Sequence, residues 1–487
     1  MEKDRGKLYN FYICFIQNHE TLLVIPKNSL YMEKRNNNLL VGMTVFGAIF
    51  FIFGFATTFI ITLSAPVKAI FNLSEFAAQL LSSAFFLAYP LMSIPTGKII
   101  DRMGYKWTVV AGLLLMALGS FIFIPAARIP SFPIFLLGTF ILAVGVVFLQ
   151  VAANPYVTAI GPDSTASSRL NLTQALNSVA TMVAPWLISV AIFRGLNLPA
   201  DDSLITPEQG LMAAERVPLP FIMMGFIVIA VAIAILAIKL PVLEKGTGVK
   251  KNVWKYPHVV LGAFAIFAYV GAEVGNAGLI VNYLKNAVEG VDAEMASTYA
   301  AIYWGGAMIG RFFGSFMFSE MKQTKKLAYM FPVLGLAFIS GSFVTDWNWS
   351  IGLTFTIVAL VNFVIMQIGT GKAARTLAIF ALVTALLDIT TTFTTGHIAL
   401  WTVISIGLFN SIMFPNIFSL AVKDLDKAEL SGASGLINSL IIGGAVIPPI
   451  MGGIADNFGY TWAFLVPAIC YLYIFYYAVR GNFIRKQ

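Results

Sequence analysis

Apolar residues fall along this chain in blocks of about 20 or more, broken by short polar connections, and a block of that length crosses a bilayer as one helix. The blocks predict spans at 39–64, 75–99, 107–126, 132–157, 168–195, 217–241, 257–285, 295–318, 327–344, 350–369, 374–393, 397–421, 431–455 and 461–480. Short segments of alternating polarity, the mark of a membrane β-barrel, do not occur in the sequence. The pattern predicts an all-α polytopic membrane protein with about 14 transmembrane helices. A polar, basic stretch at 242–256 divides it into two hydrophobic halves, 39–241 and 257–481, and leaves residues 1–38 as a polar, irregular N-terminal segment. Met32, followed by EKRNNN, would itself make a conventional start, so a mis-assigned start is one reading of what precedes it.

The halves echo one another. An NP pair, a polar loop and LNLTQALNS in the first are answered by FPNIFSLAVKDL, a polar loop and SGLINS in the second. Pro155 to Asn177 is 22 residues, and Pro415 to Asn438 is 23. Two related six-helix bundles with a binding site near the midplane between them are a common transporter plan. The spans exceed that plan by two, and the hairpin 327–369 has no counterpart in the first half.

Composition agrees with the pattern: of 487 residues 58% are hydrophobic and 11% charged, against roughly 25% charged in a soluble domain. Charge adds orientation. The net +8 could suggest a nucleic-acid partner, but the basic residues flank helices, so no such partner is expected. Lys34, Arg35, Lys98, Arg102, Lys106, Lys250, Lys255, Lys322, Lys372, Lys423 and Arg485 all fall on one side, whereas the alternate loops NLSE, NAVEGVDAE and TDWNW are poor in positive charge. The positive-inside rule then puts both termini in the cytoplasm, with a bacterial inner membrane as the expected location. Cys14 and Cys470 lie far apart, the second inside an apolar span, and predict no disulfide.

Against this apolar background the polar residues stand out. Gln150 and Asn154, in FLQVAANPYV, share one helical face at a spacing of four. Asn171, Gln174 and Ser178 stack on the next helix, with Asn177 beside them. Amides are costly in hydrocarbon unless satisfied. They can glue helices together, cap the backbone opened by Pro155, or line a hydrated cavity; the cluster favours the cavity. Amides offer both donors and acceptors and suit a neutral polyol, whose C–H faces would pack on aromatics such as Phe53, Trp304 and Phe414. In the second half Glu273 lies mid-helix with Asn276 one turn along, and Asn410 and Trp304 complete that wall. An intramembrane carboxylate is a functional candidate by default, and Glu273 is the candidate for carrying a coupling proton or sodium ion. Asp388 is expected to be wetted near the outer end of its helix. Asp101 and Arg102, in the basic-side loop GKIIDRMGYKW, are candidate gating residues. Asp101 is expected to face the positive N-terminus of the helix opening at Ser431 and Gly432, and Arg311, in GRFFGS, occupies the related place in the second half.

These residues carry a family resemblance. GKIIDRMGYK resembles the loop between helices two and three of the major facilitator superfamily. LQVAANPYVTAIGPDSTASSRLNLTQALNS resembles the signature of its fucose–galactose–proton symporter family, and VGAEVGNAGLIVNYL, YWGGAMIGRF and GLFNSIMFPNIFSLAVK are similar to the glucose/galactose branch. The resemblance runs from about Phe50 to the C-terminus, excluding 327–369. It implies a twelve-helix core alternating between inward- and outward-open states and carrying a monosaccharide with a coupling ion. Gln174 and Asn177 match sugar-contacting amides of L-fucose permeases. Ile60 and Ile61 stand where those permeases have an Asn-Asp pair, and Gln150 stands where they have a glutamate, so Glu273 is the midplane acid that remains. The expected function is import of a hexose or deoxyhexose such as glucose, galactose or fucose by a monomer, without a catalytic site or bound cofactor. An uncoupled facilitator and a non-transporting sugar sensor are the alternatives.

Overall fold

The computed structural model describes residues 11–14, 23–128, 131–160, 166–194, 212, 215–238, 240, 253–319, 321–423, 425, 433 and 435–483. For some helical residues, Asp101 and Asn171 among them, the backbone alone is described. Among the described residues 13 helices are long and apolar enough to span a membrane. One more, Ala293–Met317, has 25 residues, about 37 Å at the helical rise, although glycines and Arg311 dilute its apolar character. We number these α1 (Leu39–Lys68), α2 (Glu75–Ile100), α3 (Arg102–Ala126), α4 (Phe132–Ala159), α5 (Ala166–Ile188), α6 (Pro218–Ala237) and α7 (Pro257–Ala287). The second half continues with α8 (Ala293–Met317), α9 (Gln323–Val344), α10 (Trp349–Ile368), α11 (Ala373–Phe393), α12 (Gly396–Ala421), α13 (Gly435–Phe458) and α14 (Tyr460–Gly481).

The N-terminal segment departs from expectation. Phe11–Cys14 pairs antiparallel with Leu23–Pro26, and the first helix extends back to Lys27, so part of 1–38 is regular. The turns follow local chemistry. Ser74 Oγ accepts from Ala77 N at the start of α2, and Asp292 does the same for Met295 N at the start of α8, both ordinary N-caps. Gly104, at φ 79 and ψ 170, makes the sharp non-helical turn from α2 into α3, a conformation costly for a residue with a Cβ. α12 is interrupted between Asn410 and Met413, and α5 loosens into a π turn at Ser189–Phe193 after Pro185.

α3 packs on α4 and α6, and α11 packs on α12 and α14, the same relation in each half. α9 and α10 pack on each other and on α8, and α10 is the least buried span. The halves meet along α1 with α7, α2 with α13 and α5 with α8. The end bearing the α1–α2, α7–α8 and α13–α14 turns is called outer here, after the expected orientation, and the opposite end inner.

Candidate functional site

The centre of the second-half wall is Glu273, on α7. Tyr269, one turn earlier, donates its hydroxyl to Glu273 Oε1 at 2.7 Å. Arg311, from α8, brings Nη2 to within 3.8 Å of the same oxygen. That guanidinium also donates Nη1 to Ser178 Oγ on α5 at 2.6 Å and Nε to the Ser411 carbonyl at 3.3 Å. Ser178 in turn donates to the Gln174 carbonyl at 2.8 Å. One cation therefore spans the two halves near the middle of the membrane, pairing with the acid of one and a hydroxyl of the other. Pairing and hydrogen bonding together are what make a buried charge tolerable.

Behind this wall Tyr303 donates to the Glu273 carbonyl at 3.3 Å and accepts Asn410 Nδ2 at 2.9 Å. Close approach makes the link feasible: a Cβ on Gly407 would lie 2.0 Å from the Tyr303 carbonyl oxygen. Trp304 sits edge-to-face on Tyr303 with ring centroids 5.5 Å apart. Among the described residues its buried Nε1 has no acceptor, and the buried Oε1 of Gln150 on α4 has no donor. Buried polar atoms are seldom left so. One donor and one acceptor in waiting suit a hydroxyl, which is both.

The amides divide by role. Gln150, Asn154 and Gln174 are half-buried on the first-half wall. Asn177 is buried, with Nδ2 donating to the Phe50 carbonyl on α1 at 2.8 Å. Gly54 leaves the space for it, since a Cβ there would lie 2.3 Å from Nδ2. Asn276 and Asn410 are fully buried inside the second bundle, so the structure sets them behind the wall rather than on it. The Asn171 side chain lies outside the described residues.

Two expectations need correction. Asp388 is not wetted: it is fully buried, and its Oδ1 accepts Asn276 Nδ2 at 3.2 Å, because α11 turns that face toward α7 instead of its own outer end. Arg311 does not occupy a gating loop like that of Asp101. It belongs to the midspan bridge, since it lies well inside α8. Arg102 is exposed beside the inner turn. The Asp101 side chain and Ser431–Gly432 lie outside the described residues.

With this geometry in view, the comparisons place the chain. Residues 45–441 match the model of the Major Facilitator Superfamily. The chain belongs to the major facilitator superfamily. This major facilitator is 38% identical over 466 residues to a glucose/galactose transporter of Brucella abortus, covering 94% of this chain and 98% of the relative. It is 28% identical over 462 residues to the L-fucose-proton symporter of Escherichia coli, covering 91% and 94%. A crystal structure of the Escherichia coli fucose:proton symporter superposes with a TM-score of 0.62 at 28% identity, over 91% of this chain and 99% of that one.

Sequence reasoning missed the tyrosines that brace the acid, although the spacing of Tyr269 and Glu273 was a legible signal. It also missed a polar cluster at the outer end of this major facilitator. Lys68 pairs with the buried Glu75 at 2.8 Å, Asn282 donates to Glu75 Oε1 at 2.8 Å, and Tyr460 donates to the same oxygen. Gln79 Nε2 and Ser64 Oγ both donate to the Gly278 carbonyl, at 3.1 and 3.0 Å. These bonds tie α1 and α2 to α7 and α14.

Proposed function

We propose that this chain is a secondary active permease that imports a monosaccharide, a hexose or deoxyhexose, with a proton, by rocking one half against the other. The observation that carries the reading is the Arg311 bridge between Glu273 and Ser178, and the unpaired Trp304 Nε1 on α8 and Gln150 Oε1 on α4 support it. The printed functions of the relatives, glucose/galactose transport and fucose–proton symport, give the substrate class and the ion. In this scheme Gln150, Asn154 and Gln174 take sugar hydroxyls, and Trp304 offers an apolar ring to a C–H face. Glu273 takes the proton, which removes the charge that holds Arg311 and so loosens the contact with the first half. Asp388 has no such path to a ligand, being sealed in its bundle.

The finer assignments belong to the same proposal. The helices α1–α6 form one bundle, α7, α8 and α11–α14 the other, and α9–α10 is the inserted pair, because α11 repeats the packing of α3. Residues 242–256 are the linker, both termini face the cytoplasm of a bacterial cell, and the protein acts as a monomer in lipid. Counterflow of a labelled sugar panel in proteoliposomes tests the function; no saturable flux of any hexose or deoxyhexose overturns it. Uncoupled facilitation is the second reading, favoured by the buried, apolar Ile60 and Ile61 on α1. Accumulation that follows an imposed proton gradient excludes it, whereas saturable sugar binding without flux would mark a sensor.

A further inference from the structure

Two stretches of the chain copy each other. GKIIDRMGYKW, at 97–107, joins α2 to α3, and GGIADNFGYTW, at 452–462, joins α13 to α14. Gly97, Ile99, Asp101, Gly104, Tyr105 and Trp107 recur as Gly452, Ile454, Asp456, Gly459, Tyr460 and Trp462. The backbone is copied too: Gly104 turns at φ 79, ψ 170 and Gly459 at φ 94, ψ 157. The first copy lies at the inner end and the second at the outer end.

The outer copy is fastened across the halves. Asp456 Oδ1 accepts Glu75 N at 2.7 Å and its Oδ2 accepts Phe76 N at 2.9 Å. Both are first-turn amides, which have no acceptor within their own helix, and a carboxylate there meets the positive end of the α2 dipole. A Cβ on Gly452 would lie 2.7 Å from the Glu75 carbonyl oxygen, so the approach needs a bare backbone. Tyr460, from the same copy, donates to the Glu75 carboxylate and accepts Lys68 Nζ at 2.9 Å. α2 and α13 lie side by side, the end of α13 against the start of α2.

We propose that 452–462 is an outer latch, Asp456 clasping the first turn of α2 in one state of the cycle and releasing it in the other. Asp456 is thereby a positioning residue: it touches no sugar but decides toward which side the site opens. The proposal rests on the transport reading for its purpose, though its geometry does not depend on any substrate. Closing one end of two rocking halves opens the other, so releasing this clasp is what lets the site face outward.

The test is a distance measurement between spin labels at Arg128→Cys and Glu289→Cys, one on the outer end of each half, with Cys14→Ser and Cys470→Ser. The unsubstituted latch is expected to give a distribution dominated by the short distance. Asp456→Ala should raise the ratio of open to closed outer ends about tenfold or more, the scale of losing two charge-assisted hydrogen bonds. Asp456→Glu should restore the short distance in part. Should Asp456→Ala fail to fold, Asp456→Asn, which keeps one acceptor but no charge, should give a smaller shift of the same sign. An unchanged distribution in the folded Asp456 variants overturns the latch. The readout needs no sugar, so a chain that carried none would still report on the latch while refuting the transport reading.

Discussion

On the first-half wall Gln150, Asn154 and Gln174 are half-buried neutral amides, whereas the second-half wall carries Glu273 and Arg311 in a frame of bonds from Tyr269, Tyr303, Asn410 and the Ser411 carbonyl. Neutral amides can stay wetted between substrates at little cost and re-aim for different hydroxyl patterns. A carboxylate and a guanidinium at that depth must be pre-arranged, because the penalty for an unpaired buried charge is several kcal/mol. The contrast teaches where adaptability and energy coupling reside: the first wall can vary its grip, and the second can change only by moving a charge.

The largest break of this contrast is Arg311→Leu. It leaves Glu273 without its cation and is expected to destabilise the protein by about 3–5 kcal/mol, read as a lower Tm in detergent and loss of uptake. Arg311→Leu with Glu273→Gln should recover most of that Tm; no recovery would mean the pair is not coupled. Next comes Glu273→Gln alone, expected to abolish proton-driven accumulation while sparing sugar exchange in proteoliposomes. A mutant that still concentrates sugar would move coupling elsewhere.

The two amide roles separate at a smaller scale. Gln174→Ala should lower uptake roughly tenfold, the value of about one hydrogen bond to a ligand, with Tm unchanged. Asn177→Ala should instead lower stability by about 1–2 kcal/mol by freeing the Phe50 carbonyl. Equal effects on Tm would erase the distinction. The mildest effect on transport is expected from Tyr303→Phe, which removes a 3.3 Å bond to the Glu273 carbonyl and the acceptor of Asn410 Nδ2: uptake should change only a few-fold, while the stranded buried amide lowers stability by about 1–3 kcal/mol.

Much was legible without coordinates because it depends on local pattern. Apolar runs marked the spans to within a few residues, and Glu273 stood out as an acid in hydrocarbon. Helical spacing put Gln150 with Asn154, and Gln174 with Ser178, but spacing names a face and never the helix opposite. Asn177 and Gln174 looked alike in sequence, yet α1 meets one and leaves the other accessible. Asp388 looked wet from its distance to a helix end, and α7 covers it. The outer cluster escaped notice because Lys68, Glu75, Asn282 and Tyr460 are spread over four helices and each is unremarkable alone.

Sequence by itself determined that the chain spans a membrane, how often, and which few polar side chains lie at depth, since the bilayer imposes those limits one helix at a time. Tertiary packing decided which polar residues are sealed inside a bundle, which acid meets Arg311 and which end is fastened. Those outcomes depend on contacts between residues far apart in the chain, and no local periodicity encodes them.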